Sequence, residues 1–162
     1  MEKIESFKVD HTKLNRGIYV SRKDYDNETQ KVMATTFDIR MKLPNREPVL
    51  NIAECHTIEH IGATFLRNHP IWKHETIYFG PMGCRTGFYV IFKGDLTSND
   101  VKKIITEMFK FIADFEGDVP GADKFSCGNY LDQNLPMAKY ESQKFYQETL
   151  LKLKKENMVY PD

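Results

Sequence analysis

The sequence predicts an α+β fold, in which helices pack on one face of an antiparallel sheet. Helical stripes and β-like runs both occur along the chain, but they do not alternate as regular βαβ units. The 162 residues, 41% of them apolar, suffice for one hydrophobic core and are too few for two ordinary domains. We therefore expect a single domain over residues 1–162.

Four β-like runs predict the strands of the sheet. Residues 32–43 carry apolar and β-branched side chains in partial alternation, which is typical of a half-buried strand. Residues 18–20 form a shorter run, and residues 76–82 and 86–93 form two more. The last two are joined near Cys84, so we expect this cysteine at a strand edge or in a turn.

Three helices are predicted, two of them with clear termini. One has a possible capping box at Thr97 and Asp100, followed by one apolar stripe of Val101, Ile104, Ile105, Met108, Phe109 and Ile112. A second should cover about residues 137–154, where several lysines suit the negative end of the helix dipole. The third should run over about residues 50–68 and stop before Pro70.

Charge and hydropathy argue against two classes of partner. Lys and Arg together number 23, and Asp and Glu also number 23, so no net field favours nucleic acid or an anionic membrane. No stretch approaches about 18 unbroken apolar residues, and the N-terminus lacks the apolar segment of a signal peptide. We expect a cytoplasmic protein.

The three cysteines do not resemble the framework of a small disulfide-bonded domain, because their number is odd and their spacing irregular. We expect reduced thiols. Cys55 points about 100° away from its neighbour His56 around a helix, and is expected to pack in the core. Cys84 lies in a glycine-rich turn beside Arg85, where it is either a reactive thiolate or an inert thiol.

The strongest chemical motif lies within the helix predicted over residues 50–68. His56, Glu59 and His60 are three or four residues apart and share a helical face. Two imidazoles one turn apart can bind one metal ion, and the carboxylate can act as a general base. Cys127, followed by a glycine, supplies a further soft ligand, and the three ligands leave a fourth position open, as in catalytic sites.

Two other interpretations remain open at this point. The pattern H-x-x-E-H also fits an inverted metallopeptidase, in which Glu107 of a neighbouring helix could be the third ligand. Alternatively, Cys84 could close a structural two-histidine, two-cysteine site in a domain that only binds a partner. The first interpretation leaves Cys127 and Cys84 without a role.

Motifs over most of the chain resemble the S-ribosylhomocysteine lyase (LuxS) family and occur in that family's order. They lie at residues 5–7, 10–12, 37–40, 56–60, 80–89 and 127–132. The resemblance implies cleavage of S-ribosylhomocysteine into homocysteine and 4,5-dihydroxy-2,3-pentanedione, the precursor of autoinducer-2. No organic cofactor is expected, and the chain has no Gly-rich dinucleotide fingerprint.

The resemblance also implies roles for individual residues. The metal ligands would be His56, His60 and Cys127, with Fe(II) as the native ion and Zn(II) or Co(II) as substitutes. Glu59 and Cys84 would be the acid–base pair. The family forms a homodimer with its two active sites at the subunit interface, and its substrate-contacting positions match Ser6, His11 and Arg40.

Overall fold

Four antiparallel strands form one sheet in the order β1-β2-β4-β3. The strands are β1 (Gly17–Tyr25), β2 (Val32–Arg40), β3 (Thr76–Pro81) and β4 (Gly87–Lys93). The helices are α1 (Glu5–Lys8), α2 (Ile52–Asn68), α3 (Ser98–Asp114) and α4 (Leu135–Glu148). This computed structural model describes residues 2 and 4–161, without the side chains of residues 5 and 6.

The alternation of side chains in β2 separates the two faces of the sheet. Phe37 and Ile39 are fully buried and belong to the same apolar cluster as Ile58 of α2 and Ile105 of α3. This cluster includes residues of all four strands and of the three longer helices. Asp38, between them in sequence, points to the other face, because successive side chains of a strand alternate. The α+β fold with helices on one face is confirmed.

The starts of the two central helices are fixed by capping boxes. At α2, the Asn51 backbone N–H donates to Glu54 Oε1 at 2.7 Å. At α3, the Thr97 N–H donates to Asp100 Oδ2, also at 2.7 Å, so that the predicted capping box is confirmed. Both boxes satisfy backbone donors that have no partner within the helix.

The last predicted helix is displaced from its expected span of residues 137–154. Asn134 caps α4 by accepting the Met137 N–H at 3.1 Å, so the helix starts earlier. It ends at Glu148 and is followed by a separate 3-10 turn, Leu150–Lys152, in which Leu150 is buried. The expected interaction of the lysines with the dipole of α4 is therefore wrong, because they lie beyond its end.

The strand boundaries differ from expectation by a few residues. β2 ends at Arg40 rather than at residue 43, and β1 extends to Tyr25 rather than stopping at residue 20. The chain leaves the sheet after Arg40, where the Met41 and Lys42 N–H groups both donate to the Thr86 carbonyl oxygen. Within the described residues, no helix has the length and apolarity needed to cross a membrane.

Candidate metal centre and active site

Helix α2 presents two imidazoles on one side while it buries its opposite side. Ile58 and Ile61 of α2 are fully buried in the core, whereas His56 and His60 remain partly exposed. The centres of the two imidazole rings lie 4.5 Å apart, with the ring planes at 79° to each other. The one-turn spacing therefore brings the two histidines together, as the sequence predicts.

Backbone carbonyl groups orient both imidazoles. His56 Nδ1 lies 2.8 Å from the Asp132 carbonyl oxygen, and His60 Nδ1 lies 2.7 Å from that of Pro120. A carbonyl oxygen can only accept, so each Nδ1 carries a proton, and in a neutral imidazole the lone pair is then on Nε2. This arrangement is typical of histidines that bind metals through Nε2.

The third member of the cluster comes from the segment of residues 115–134 that connects α3 and α4. Cys127 Sγ lies 3.4 Å from His56 Nε2. The donor atoms of His56, His60 and Cys127 all lie within 4.8 Å of one another. Ordinary zinc–nitrogen and zinc–sulfur bonds at a tetrahedral angle would separate nitrogen from sulfur by about 3.6 Å. The three side chains therefore fit one divalent transition-metal ion.

The Cys127 segment is held by local hydrogen bonds. The Cys127 backbone N–H donates to the Asp123 carbonyl oxygen at 3.0 Å. The Asn129 N–H approaches Cys127 Sγ at 3.4 Å. Both contacts fix the direction of the thiol towards α2.

Cys84 lies in the turn between β3 and β4, as predicted, and its side chain is exposed. Its Sγ atom lies 3.1 Å from Thr86 Oγ1 and 3.9 Å from Arg40 Nη1. It lines a cavity of about 880 Å³ together with His11 and Arg40. The structure thus brings together three of the residues that the sequence singled out.

Arg40 belongs to a buried ion pair on the face of the sheet opposite the helices. Its Nε donates to Asp38 Oδ1 at 3.0 Å, and its Nη2 donates to Asp38 Oδ2. The Tyr160 hydroxyl also donates to Asp38 Oδ2, at 2.9 Å. Burial raises the pKa of Asp38, while Arg40 and Tyr160 oppose this rise. Burial of the Arg40 guanidinium lowers its pKa, but the adjacent Asp38 carboxylate outweighs this effect and keeps the pKa of Arg40 above its usual value.

His11 and Ser6 lie near the N-terminus. His11 Nδ1 lies 2.8 Å from the Val9 carbonyl oxygen, and the partly buried ring lines the cavity. The backbone of Ser6 lies in α1, but its side chain lies outside the described part of the structure. A role for Ser6 stays a prediction.

The cluster of His56, His60 and Cys127 and the Cys84 cavity are formed by different residues. Within the described part of the chain, the lining of this cavity includes neither Glu59 nor His56, His60 or Cys127. Glu59 lies on α2 directly before His60 and is partly exposed. Among the described residues, Glu59 therefore does not line the cavity that Cys84 lines.

Sequence comparison assigns the family. The model of the S-ribosylhomocysteinase (LuxS) family matches residues 4–156. The chain belongs to this family. It is 59% identical to the S-ribosylhomocysteine lyase of Clostridium acetobutylicum over 162 residues, the full length of both chains. It is 56% identical, again over the full length of both chains, to the enzymes of that name from Clostridium beijerinckii and Porphyromonas gingivalis.

The geometry of this LuxS-family chain argues against both alternative metal sites. On α3, Glu107 Oε2 lies 3.9 Å from His69 Nε2, and Glu107 Oε1 lies 3.9 Å from Lys103 Nζ. Among the described residues, the group that could hold a metal contains neither Glu107 nor Cys84. Cys55 is also excluded as a reactive thiol, because burial raises its pKa to about 12. The core position predicted for Cys55 is confirmed.

Sequence reasoning missed three groups around Arg40. Asp38 sits two residues before it in β2 and on the same face, so a charged pair in an otherwise apolar strand was a usable signal. Thr86, which accepts a hydrogen bond from Arg40 Nη1 at 2.6 Å, gave no such signal. Tyr160 reaches Asp38 across 122 residues of chain, and no local pattern predicts that contact.

We expect the purified LuxS-family protein to carry about one tightly bound transition-metal ion per chain. Elemental analysis measures this. A His56→Ala, His60→Ala double variant should lose the ion, since only one of the three ligands remains. His69→Ala and His74→Ala, on residues outside the cluster, provide the matched control and should keep it. Full occupancy in the His56, His60 double variant would refute the ligand assignment.

Proposed function

We propose that this chain is a metal-dependent S-ribosylhomocysteine lyase, which releases homocysteine and 4,5-dihydroxy-2,3-pentanedione. The observation that carries the proposal is the cluster of His56, His60 and Cys127, whose three donor atoms would leave the fourth position of a tetrahedral ion open to substrate. The chain holds this cluster within a family whose full-length relatives bear the name of that enzyme. Fe(II) is the ion we favour, and Zn(II) or Co(II) would also suit two imidazoles and one thiolate.

The reaction poses a problem of proton transfer. A carbon–sulfur bond of a thioether breaks readily only when a carbonyl group acidifies the carbon next to the one that bears sulfur. The sugar carbonyl must therefore migrate along the chain before homocysteine can leave. A divalent ion held by the cluster would supply Lewis acidity to the sugar oxygens.

Two side chains of this protein are proposed to move the protons. Cys84, as a thiolate, removes a proton from one sugar carbon and returns it to the neighbouring carbon, while Glu59 transfers protons at the sugar oxygens. After the carbonyl has moved, removal of a proton next to it breaks the carbon–sulfur bond, and the electron pair leaves with the homocysteine sulfur. Arg40 and His11, which line the cavity with Cys84, are proposed to bind the substrate.

We further propose that the active enzyme is a homodimer. Among the described residues, the lining of the Cys84 cavity does not include His56, His60 or Cys127 of the same chain, so a second copy could place its own cluster opposite Cys84. A twofold symmetric dimer would create two such composite sites. This arrangement joins Glu59 and the metal ligands of one chain with Cys84, His11 and Arg40 of the other.

The direct test of the activity is incubation with S-ribosylhomocysteine. We expect the metal-loaded protein to release homocysteine, which a thiol reagent detects, together with one equivalent of the dihydroxypentanedione. Heat-denatured protein at the same metal concentration is the control. Absence of homocysteine release from folded, fully metal-loaded protein would show that the proposed function is wrong.

Replacement of Cys84 separates catalysis from structure. Cys84→Ala should keep its metal and its thermal stability, because the three proposed ligands lie elsewhere. Homocysteine release should nevertheless fall by at least about 10²-fold, the usual contribution of a positioned acid–base group. Cys55→Ala is the matched control, since it removes a buried thiol and should keep release per folded molecule. Unchanged release from Cys84→Ala would remove Cys84 from the mechanism.

Mixing of two inactive variants tests the shared site. A His56→Ala, His60→Ala chain and an Arg40→Ala chain each lack one half of the site. In a mixed dimer, one of the two sites is intact, so random assembly should restore about a quarter of the parental activity. Differently tagged chains allow the mixed dimer to be isolated by tandem affinity purification. An inactive isolated mixed dimer would exclude the shared arrangement.

A further inference from the structure

Thr86 occupies the position between the buried ion pair and Cys84. Its side chain is only 5% exposed. Its Oγ1 lies 2.6 Å from Arg40 Nη1 and 3.1 Å from Cys84 Sγ. Arg40 Nη1 itself is 3.9 Å from the sulfur. The threonine hydroxyl is thus nearer to the thiol than the Arg40 guanidinium is.

The direction of these hydrogen bonds follows from the chemistry of the partners. A guanidinium group can only donate, so Thr86 Oγ1 accepts from Arg40 and its own proton must point elsewhere. Among the described residues, Cys84 is the other hydrogen-bond partner of this hydroxyl. A thiolate can only accept, so the Thr86 hydroxyl donates to Cys84 when the sulfur is ionised, and the negative charge strengthens this hydrogen bond.

Asp38 orients the Arg40 guanidinium so that it donates a hydrogen bond to Thr86. Two of the three guanidinium nitrogens are occupied by the Asp38 carboxylate, and the third, Nη1, is aimed at Thr86. The negative charge of Asp38 balances the positive charge of Arg40, which reduces the long-range electric field of the pair at the thiol. The main remaining interaction with Cys84 is the directed hydrogen bond from the Thr86 hydroxyl, which the adjacent guanidinium polarises.

We propose that Thr86 is a positioning residue of the lyase, which holds Cys84 as a thiolate and transmits to it the polarisation of the Asp38–Arg40 pair. The inference rests on the proposed function in so far as Cys84 carries protons there. Its test uses the chemical reactivity of Cys84 instead, so that it can fail or succeed independently of homocysteine release.

The test is the rate at which iodoacetamide alkylates Cys84, followed by mass spectrometry of the peptide that contains it. Thr86→Val removes the hydroxyl at nearly constant shape, and Thr86→Ser restores it. The Thr86 backbone contacts to Met41 and Lys42 use its carbonyl oxygen and survive both changes. Thr86→Ala is a second hydroxyl-free variant, and circular dichroism shows which variants are folded.

At about pH 6.5, well below the usual thiol pKa, we expect alkylation of Thr86→Val to be about threefold to tenfold slower than in the parent. The lost thiolate population is partly offset by the greater nucleophilicity of the thiolate that remains. At about pH 9.5 the difference should vanish or reverse, because both thiols are then largely ionised. A steric effect would slow alkylation at both pH values.

Other ionisable groups near Cys84 are common to all variants. His11, Arg46 and Glu47 line the same cavity, as do Arg40 of β2 and Tyr89 of β4. Arg85 directly follows Cys84 in the chain, and Cys55 of α2 interacts electrostatically with Cys84. Burial raises the pKa of Tyr89 and that of Cys55, so neither ionises readily in this range. The ratio of variant to parent rates at each pH therefore isolates the hydroxyl.

Thr86→Ser should alkylate within about twofold of the parent at both pH values, since the hydrogen bond is retained. The proposal is overturned if a folded hydroxyl-free variant matches the parent at the lower pH, or if Thr86→Ser is as slow as Thr86→Val. Homocysteine release, measured in parallel, should fall in Thr86→Val and recover in Thr86→Ser. A protein that shows the alkylation pattern but no lyase activity would refute the proposed function and leave the role of Thr86 intact.

Discussion

The candidate site depends on the burial of one side of α2 against the sheet. Ile58 and Ile61 are fully buried, and this contact fixes the rotation of the helix about its own axis. Because an α-helix has 3.6 residues per turn, the same rotation places His56 and His60 on a partly exposed side. The direction of both imidazoles is therefore a consequence of core packing.

The segment of residues 115–134 contributes the other groups of the candidate metal site. It supplies the Cys127 thiol and also the carbonyl oxygens of Pro120 and Asp132, which hold the two Nδ1 protons. Ligand and orienting groups thus come from one connection packed on α2. The segment also contacts Thr57 of α2, whose hydroxyl lies 2.7 Å from Gln133 Oε1 and accepts the Asn134 N–H at 2.9 Å, so a long segment without a helix or strand is held against α2.

The opposite face of the sheet has a different character. Asp38 and Arg40 are 1% and 3% exposed, and the burial of two charges is tolerated only when both are fully hydrogen-bonded. Tyr160 and Thr86 supply the remaining contacts. The Tyr160 ring also stacks on Tyr19 with their centroids 4.8 Å apart, so the C-terminal segment covers the pair. The free-energy cost of burying this polar cluster is consistent with a functional role at Cys84.

The sequence by itself determined the fold class, most element positions, the face shared by His56 and His60, and the turn at Cys84, because helical periodicity, strand alternation and glycine-rich turns are local properties. It did not determine the end of α4, which stops at Glu148 and is followed by a separate 3-10 turn that buries Leu150. Tertiary structure alone decided that Thr86 lies between Arg40 and Cys84 and that Tyr160 reaches Asp38. Contacts between distant segments depend on how the elements pack, which local residue patterns do not encode.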